Sequence, residues 1–338
     1  MALQIRGLQK GELDGFLDCF QAAFGVDDQS LSIVRNSLVN DPYFQPERVR
    51  VALVDGVIVA HVVVLHRAAY VGNLVVSVAA ITAVATHPYY QKRGFGTKLM
   101  QDALRMIRQR GYDIAMLTTR VPGFFARFGF REVPKVDGFE CPVSALVRLN
   151  IPNPCAIEKL DYNHHWPALA AIYHQYSFGR TGMQVRDMRA WETWPRRGTF
   201  PYGFSSQLDA CGLMGVVQGQ NVAYLAAHCP PEQRHMTVTE LAHLRGHEQA
   251  AVALLRAAAQ RFLATGANRA VFQTGGGTPV LRILEQQRVP LQLEVGPGLM
   301  VLFPNTDWIK SAGLRNPDEA IEHLFRSPIP VMWHRDGY

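Results

Sequence analysis

The stretch that decides the fold reads ITAVATHPYYQKRGFGTKL and runs from Ile81 to Leu99. Its mostly apolar beginning predicts a buried strand, Pro88 marks the exit from that strand, and a glycine-rich turn leads into an amphipathic helix. A turn of this kind aims unpaired backbone N–H groups and the positive end of a helix dipole at one point. The sequence therefore predicts an anion site, most simply for a pyrophosphate, at the start of the helix.

The turn itself carries the pattern Q-x-x-G-x-G from Gln91 to Gly96. Glycine at positions 94 and 96 lets the backbone come within hydrogen-bond distance of phosphate oxygens, and Lys92 and Arg93 add positive charge beside it. The spacing is not that of a P-loop, and Gln91 stands where a dinucleotide-binding fold has its first glycine. From the residues alone, an ordinary strand-to-helix loop remains the alternative.

These residues resemble the GCN5-related N-acetyltransferase superfamily, whose acyl-coenzyme A signature is (Q/R)-x-x-G-x-(G/A) after the fourth strand. The segment from Phe124 to Val133, FFARFGFREV, is similar to the later helix-to-strand segment of that superfamily, which ends in a Gly-Phe pair. The resemblance implies acetyl-coenzyme A as co-substrate, held by the end of the fourth strand and the following turn. The implied binding residues are Val84, Ala85, Thr86, Gln91, Lys92, Arg93, Gly94, Phe95, Gly96 and Thr97.

The order of the predicted elements agrees with this fold and recurs along the chain. Residues 1–149 read as strand, two helices, three strands, helix, strand, helix and strand, and a degraded copy of that order follows the prolines at 152 and 154. We therefore expect an α/β tandem acyltransferase fold with a catalytic domain (1–149), a degenerate second domain (150–304) and a C-terminal tail (305–338). The strand predicted at 299–303 is assigned to the second domain.

The second copy is not expected to bind coenzyme A. Its corresponding turn, Leu244 to Glu248, keeps a single glycine, and Glu248 would repel phosphate. We expect this domain to wall the acceptor cleft, with Trp191, Trp194, Tyr202 and Phe204 either forming an aromatic surface there or lying in its core. The glycine run 275–277 is a rival anion site, or a plain loop.

The tandem arrangement resembles the enhanced-intracellular-survival class of aminoglycoside and lysine acetyltransferases, with two departures. Residues 305–338 are too few for the third, sterol-carrier-like domain of that class, and the position of its general-acid tyrosine holds Phe125. Phenylalanine cannot protonate a leaving thiolate, so a water or Cys141 are the alternatives. By the same resemblance the terminal carboxylate, here that of Tyr338, is the expected general base.

The acceptor is expected to meet the loop between the first two helices. Asp27 and Asp28 lie in that loop, and two adjacent carboxylates would suit a cationic amine. The alternative is that an aspartate caps the second helix.

Composition limits the remaining classes of function. A net charge of +6 without a long basic block argues against nucleic-acid binding, and five scattered cysteines argue against a disulfide framework or a zinc site. Apolar runs are too short to span a bilayer, and the first residues lack the apolar centre of a signal peptide. We expect a cytoplasmic protein, as a monomer or homo-oligomer, that needs no metal.

Three functions are consistent with the sequence. The first is an acetyl-coenzyme A-dependent N-acetyltransferase acting on a primary amine of a small molecule or peptide. The second, favoured by Phe125, is a protein that binds or senses acyl-coenzyme A without turnover. The third is an acyltransferase that uses a longer acyl group or a hydroxyl acceptor.

Overall fold

The computed structural model describes residues 3–133, 136–152, 154–193, 210–230, 233–272, 278–295 and 298–325 of the 338-residue chain. The described residues form two mixed sheets of seven strands each, with helices packed against them. The α/β tandem fold expected from the sequence is thereby confirmed.

The strands are β1 Leu3–Gly7, β2 Val49–Val54, β3 Val57–Val71, β4 Leu74–Thr86, β5 Ile114–Thr118, β6 Arg131–Val133, β7 Val136–Pro142, β8 Ala156–Lys159, β9 Ala210–Val217, β10 Gln220–His228, β11 His235–His243, β12 Arg269–Phe272, β13 Gln292–Val295 and β14 Leu299–Leu302. The helices are α1 Leu13–Phe24, α2 Asp28–Val39, α3 Phe95–Gln109, α4 Pro122–Ala126, α5 Val143–Val147, α6 Tyr162–Ser177, α7 Met188–Thr193, α8 Glu248–Ala264, α9 Pro279–Gln286, α10 Asp307–Ser311 and α11 Pro317–Phe325.

The first sheet is covered on both faces because its strand residues alternate. Ala115 and Leu117 pack with α3, whose inner face carries Leu99, Ala103 and Ile107 at helical spacing. Their neighbours in β5 belong to the opposite face, where α10 and α11 pack. Helices α1 and α2 cover β2 and β3 on that opposite side. The sheet is thus the middle layer of three, and the site described below lies between two of its central strands, β4 and β5.

The two sheets exchange a strand, which corrects the assignment of the segment near residue 299. Strand β14 lies in the first sheet, antiparallel to β5 and β6, while β7 from the first half lies in the second sheet between β12 and β13. The predicted domain boundary near residue 149 therefore does not separate the two sheets, because each sheet contains a strand from the other half of the chain. The exchange cannot be seen in local sequence, because any apolar run of strand length fits either sheet equally well.

Part of the segment predicted as a C-terminal tail, residues 305–325, packs on the first sheet. Helices α10 and α11 and the turn between them bury Trp308, Leu314 and Leu324 there, in the same cluster as Ile114 and Met116. Residues 305–325 therefore belong to the core of the first unit rather than to a tail.

Strand β3 also joins the two halves of the chain. Its far end pairs with a segment of the second half, since Tyr70 N donates to Met183 O and Val185 N donates to Ala68 O, both at 2.8 Å. Beside this junction, Arg67 of β3 forms a buried ion pair with Asp41, with 2.6 Å between Nη2 and Oδ2. The pair fixes the segment after α2 against the centre of the first sheet.

Candidate active site

A cleft opens where β4 and β5 part. The two strands pair in parallel only from Val78–Ala80 to Ile114–Met116. Beyond Ala80, β4 continues to Thr86 along its antiparallel neighbour β3, whereas β5 soon leads into α4. Residues from both strand ends line a cleft of about 460 Å³. Splayed parallel strands leave backbone groups of β4 free on the cleft side, where an extended ligand can pair with them.

A β-bulge in β4 shapes this edge of the cleft. His61 lies opposite Ala85 and Val63 lies opposite Thr82, so Ala83 and Val84 share one partner on β3. Ala83 has φ of +47°, the left-handed region that an alanine rarely adopts. A bulge bends its strand and takes backbone groups out of the ladder. The sequence-predicted binding residues begin with Val84 in the bulge and continue to Thr86, and their contact with a ligand stays a prediction.

The carbonyl of the bulge is held from the neighbouring strand. His61 is fully buried, and its Nδ1 lies 2.7 Å from Ala83 O. Since a carbonyl only accepts, Nδ1 carries the hydrogen and donates it. Burial lowers the pKa of His61 to about 4, so the ring is neutral near pH 7. An uncharged hydrogen-bond donor therefore stabilises the strained bulge.

The glycine turn forms a cradle at the start of α3. Gly94 is in the left-handed conformation (φ +80°) and its carbonyl accepts the first helical hydrogen bond, from Lys98 N at 3.1 Å. The amides of Phe95, Gly96 and Thr97 precede that bond, and no side chain caps this helix start. These three N–H groups are free to bind an anion.

The space in front of these amides is not filled by the protein. A Cβ on Gly94 would meet nothing within 4 Å, and one on Gly96 would lie 3.5 Å from Thr86 Oγ1 and 3.7 Å from the Phe124 ring. Those are ordinary contacts, so packing does not demand a glycine at position 96. A ligand approaching the backbone would demand it, and the residues present fit the pyrophosphate of coenzyme A.

The side chains around the turn are also compatible with phosphate binding. Lys92 and Arg93 are exposed beside the cradle, and Arg93 stacks over the Tyr90 ring at 5.2 Å from its centroid. Gln91 Nε2 donates to Thr86 O at 3.2 Å and ties the turn to the end of β4. The Phe95 side chain is buried in the core, so only its backbone is available to a ligand.

Phe125 lines the cleft at the position where a tyrosine was expected from the resemblance. Its ring is 5% exposed and packs edge-on against Phe124 and Phe130. Cys141, the alternative proton donor, is on β7 in the core of the second sheet, and burial raises its pKa to about 12. The suggestion that Cys141 replaces the tyrosine is therefore wrong.

The predicted acceptor carboxylates have local partners. Asp27 caps α2 by accepting from Ser30 N at 2.8 Å, and Asp28 accepts from Gln21 Nε2 at 2.9 Å. Both are exposed, and the described residues that line the cleft do not include them. The capping alternative is confirmed for Asp27, while the binding role of the two carboxylates stays a prediction.

In the described part of the chain, the second half contributes little to the lining of the cleft. Leu299 of the exchanged strand is the residue beyond 150 that lines the cleft there. Trp191 is buried in the core of the second unit, so the core alternative holds for it. Trp194, Tyr202, Phe204, the glycine run 275–277 and Tyr338 lie outside the described residues.

In the corresponding turn of the second unit, Leu244 to Glu248, a side chain of the turn itself accepts a backbone N–H hydrogen bond. Gly246 N donates to Oε1 of Glu248, the first residue of α8, at 3.1 Å. A carboxylate of the chain thus lies beside the helix start that in the first unit is open. This gives a physical reason for the prediction that the second unit binds no coenzyme A.

Several cleft residues were not recognised from the sequence. Phe16, Phe20 and Phe24 read as part of a core-facing helical stripe, and three apolar residues at i, i+4 and i+8 give no other signal. His61 could have been noticed as the one polar residue in the run VIVAHVVVL from Val57 to Leu65. Ala83 could not, because alanine is not typical of a left-handed position.

Two further findings concern the described residues only. They contain no cluster of three or more His, Cys, Asp or Glu side chains placed to hold a metal ion. Within the same ranges, no helix combines the length and apolar character needed to cross a membrane.

Comparison with known protein families finds a similarity in the first unit. Residues 4–133 match the family described as acetyltransferase (GNAT) domain. No curated protein sequence matches the chain.

Solved structures share the fold across both units. A GCN5-related N-acetyltransferase from Anabaena variabilis superposes with a TM-score of 0.71 at 12% identity, covering 90% of this chain and 74% of that one. Eis1 from Mycobacterium abscessus gives 0.65 at 18%, covering 92% and 76%, and a GCN5-related N-acetyltransferase from Kribbella flavida gives 0.65 at 16%, covering 89% and 71%. At these identities the likeness concerns the fold alone.

Proposed function

We propose that the protein is an N-acetyltransferase that transfers an acetyl group from acetyl-coenzyme A to a primary amine, because residues 4–133 match the family described as acetyltransferase (GNAT) domain. One observation supports this most directly. The open helix start at Gly94–Thr97 and the cleft beside the β4 bulge lie at the two ends of a single segment, residues 83–97. The helix start suits the pyrophosphate of acetyl-coenzyme A, and the cleft suits its thioester end.

The chain's own residues divide the work of binding. The amides at the start of α3 and the side chains of Lys92 and Arg93 would hold the phosphates. Backbone groups of Val84, Ala85 and Thr86 would pair with the amide-bearing arm, as an added strand does. No side chain is required for that pairing, which is compatible with the apolar character of this strand end.

The reaction would be a direct attack. The neutral amine nitrogen forms a bond to the thioester carbonyl carbon, the carbon–sulfur bond breaks, the amine gives up one proton, and the thiolate takes one up. Backbone N–H groups freed at the bulge would stabilise negative charge on the carbonyl oxygen. Phe125 supplies no proton, but a thiol with a pKa of about 8.5 leaves without strong assistance.

The test is calorimetric titration of acetyl-coenzyme A into the wild-type protein and two matched variants. Gly94→Asp places a carboxylate in the cradle, while Gly219→Asp places one in the β9–β10 turn; both glycines have φ near +80° with no atom within 4 Å of a Cβ. Backbone strain and added charge are therefore equal in the two variants. We expect binding to be lost only in Gly94→Asp. Equal binding by all three proteins would contradict the proposal that the cradle binds the phosphates.

Phe125 supports a second candidate, a protein that binds acyl-coenzyme A without turnover. Its buried ring occupies the cleft wall without any hydroxyl group. Binding of acetyl-coenzyme A with no amine-dependent release of thiol would favour this candidate. A preference for longer acyl donors, measured with the same thiol assay, would instead identify an acyltransferase of a different donor range.

A further inference from the structure

The acceptor side of the cleft is built on a ladder of three phenylalanines. Phe16, Phe20 and Phe24 lie on one face of α1, and their ring centroids are 6.2 and 4.5 Å apart in succession. The ladder runs from the core to solvent, since Phe16 is 0% and Phe24 is 48% exposed. An exposed phenylalanine that is followed inward by a half-buried one and then a buried one offers an apolar molecule a continuous apolar surface.

Other residues that line the cleft are apolar too. Val34 and Leu38 of α2, and Val121 after β5, also line the cleft, and Val121 is 61% exposed. Among the described lining residues there is no carboxylate, while the exposed Arg120 adds positive charge at the rim. This surface stabilises an apolar body and repels a polycation.

We propose that the acceptor is a small amine with a single amino group and an aromatic or branched aliphatic body, such as a hydrophobic amino acid whose carboxylate pairs with Arg120. This rests on the proposed transferase function and names the substrate class of the same site. The body lies along the phenylalanine ladder. A cleft of about 460 Å³ is of the size that encloses such a molecule.

The apolar wall also prepares the amine for attack. Desolvation disfavours the charged form of a bound amine and lowers the pH at which it loses its proton. The amine therefore reaches its nucleophilic form with less help from a general base. A polyamine would have to bring its remaining ammonium groups into the same apolar space, at a high desolvation cost.

The experiment has a turnover arm and a binding arm. Thiol release from acetyl-coenzyme A is measured with phenylalanine, phenethylamine, spermidine and an aminoglycoside. Calorimetry of phenylalanine into the protein saturated with coenzyme A measures acceptor binding without chemistry. The variants are Phe24→Ser and Arg120→Gln, with Phe178→Ser as the control, since Phe178 is 55% exposed and is not a residue of the cleft wall.

The expected order of kcat/KM is phenylalanine, phenethylamine, then the two polycations. Phe24→Ser should weaken phenylalanine binding and kcat/KM about tenfold, as expected for a lost apolar contact. Arg120→Gln should remove the preference for phenylalanine over phenethylamine, and Phe178→Ser should change neither value.

Failure of this inference can be told apart from failure of the transferase. Turnover that favours spermidine or the aminoglycoside, or phenylalanine binding that Phe24→Ser leaves unchanged, would overturn the acceptor class while keeping the transferase. Rates that rise with the chain length of the acyl donor and fall in Phe24→Ser would show that the ladder binds the acyl group. That result would also overturn the proposed acceptor class. Phenylalanine binding without any turnover would support the site and contradict the transferase.

Discussion

The imidazole of His61 on β3 holds the carbonyl of Ala83 at the bulge of β4, with 2.7 Å between Nδ1 and O. Ala83 occupies a left-handed conformation that costs an L-residue roughly 1–2 kcal/mol. The hydrogen bond opposes that cost, and it sets the direction of the strand end that borders the cleft. Under the proposed function, His61 would be a positioning residue on the strand next to the one that holds the thioester.

Replacing His61 should lower the rate more than the affinity for acetyl-coenzyme A. His61→Leu keeps the volume but removes the donor, so the bulge can relax and displace the backbone groups beside the thioester. We expect kcat to fall about tenfold to a hundredfold, because small displacements of reacting groups are costly. His61→Gln, which keeps a donor, should recover part of the rate. A leucine variant with unchanged kcat would show that the bulge does not depend on this bond.

The same residue predicts how stability depends on pH. An unfolded histidine takes up its proton near pH 6.5, whereas burial keeps His61 neutral down to about pH 4. Between these values the unfolded state binds more protons, so the free energy of unfolding falls as the pH is lowered. The loss should approach roughly 3 kcal/mol at pH 4.

Urea unfolding from pH 7 to pH 4 measures this loss. His66 and His243, whose pKa values burial also lowers, contribute in every variant. The comparison of wild type with His61→Leu therefore isolates one group, and the variant should show the flatter profile. Parallel profiles would contradict the assignment.

A single methyl group at Gly96 should separate folding from binding. The added Cβ meets Thr86 and Phe124 only at ordinary contact distances, so Gly96→Ala should fold normally and gain slightly from helix propensity. It should nevertheless weaken binding of acetyl-coenzyme A about tenfold, because the phosphate can no longer approach the amide. Gly15→Ala in α1, whose Cβ would lie 3.6 Å from Ile58, is the matched control. Equal affinities would mean that no ligand contacts the backbone at position 96.

The buried ion pair between Arg67 and Asp41 should be expensive to break. Their side chains are 3% and 2% exposed, and Asp41→Asn leaves the guanidinium buried without its countercharge. We expect a loss of about 3–5 kcal/mol in the free energy of unfolding. Glu140→Gln is the control, because the pair of Glu140 with Arg269 is far more exposed and should contribute little. Similar losses in both variants would contradict this ranking.

The strand exchange predicts the behaviour of fragments. Residues 1–149 lack β14, which lies between β5 and β6, and lack helices α10 and α11, which cover one face of the sheet. This fragment should show no cooperative unfolding by circular dichroism.

A rearranged chain provides the control for that fragment. Val133 at the end of β6 lies opposite Leu299 at the start of β14, so a short Gly/Ser linker can join residue 133 to residue 298. The rearranged chain should unfold cooperatively. A folded 1–149 fragment would show that the exchanged strand is dispensable.

Local pattern was sufficient for most elements of the first unit and for the glycine turn. The apolar run and the glycine turn predicted the end of β4 and the start of α3, because their signals lie within a few neighbouring residues. The exchange of β7 and β14 depends on which sheet edge is open, which no window of sequence reports. The phenylalanine ladder has only the pattern of an apolar helical stripe, and helical spacing alone cannot tell a buried face from a cleft wall.

The most direct test of the central claim is release of free thiol from acetyl-coenzyme A, followed with and without an amine such as phenylalanine, in wild type, Gly94→Asp and Gly219→Asp. The account predicts thiol release that depends on the amine in wild type and Gly219→Asp, and loss of it in Gly94→Asp, with an N-acetylated product of matching yield. Thiol release that no amine increases, or amine-dependent release that survives in Gly94→Asp, would contradict it.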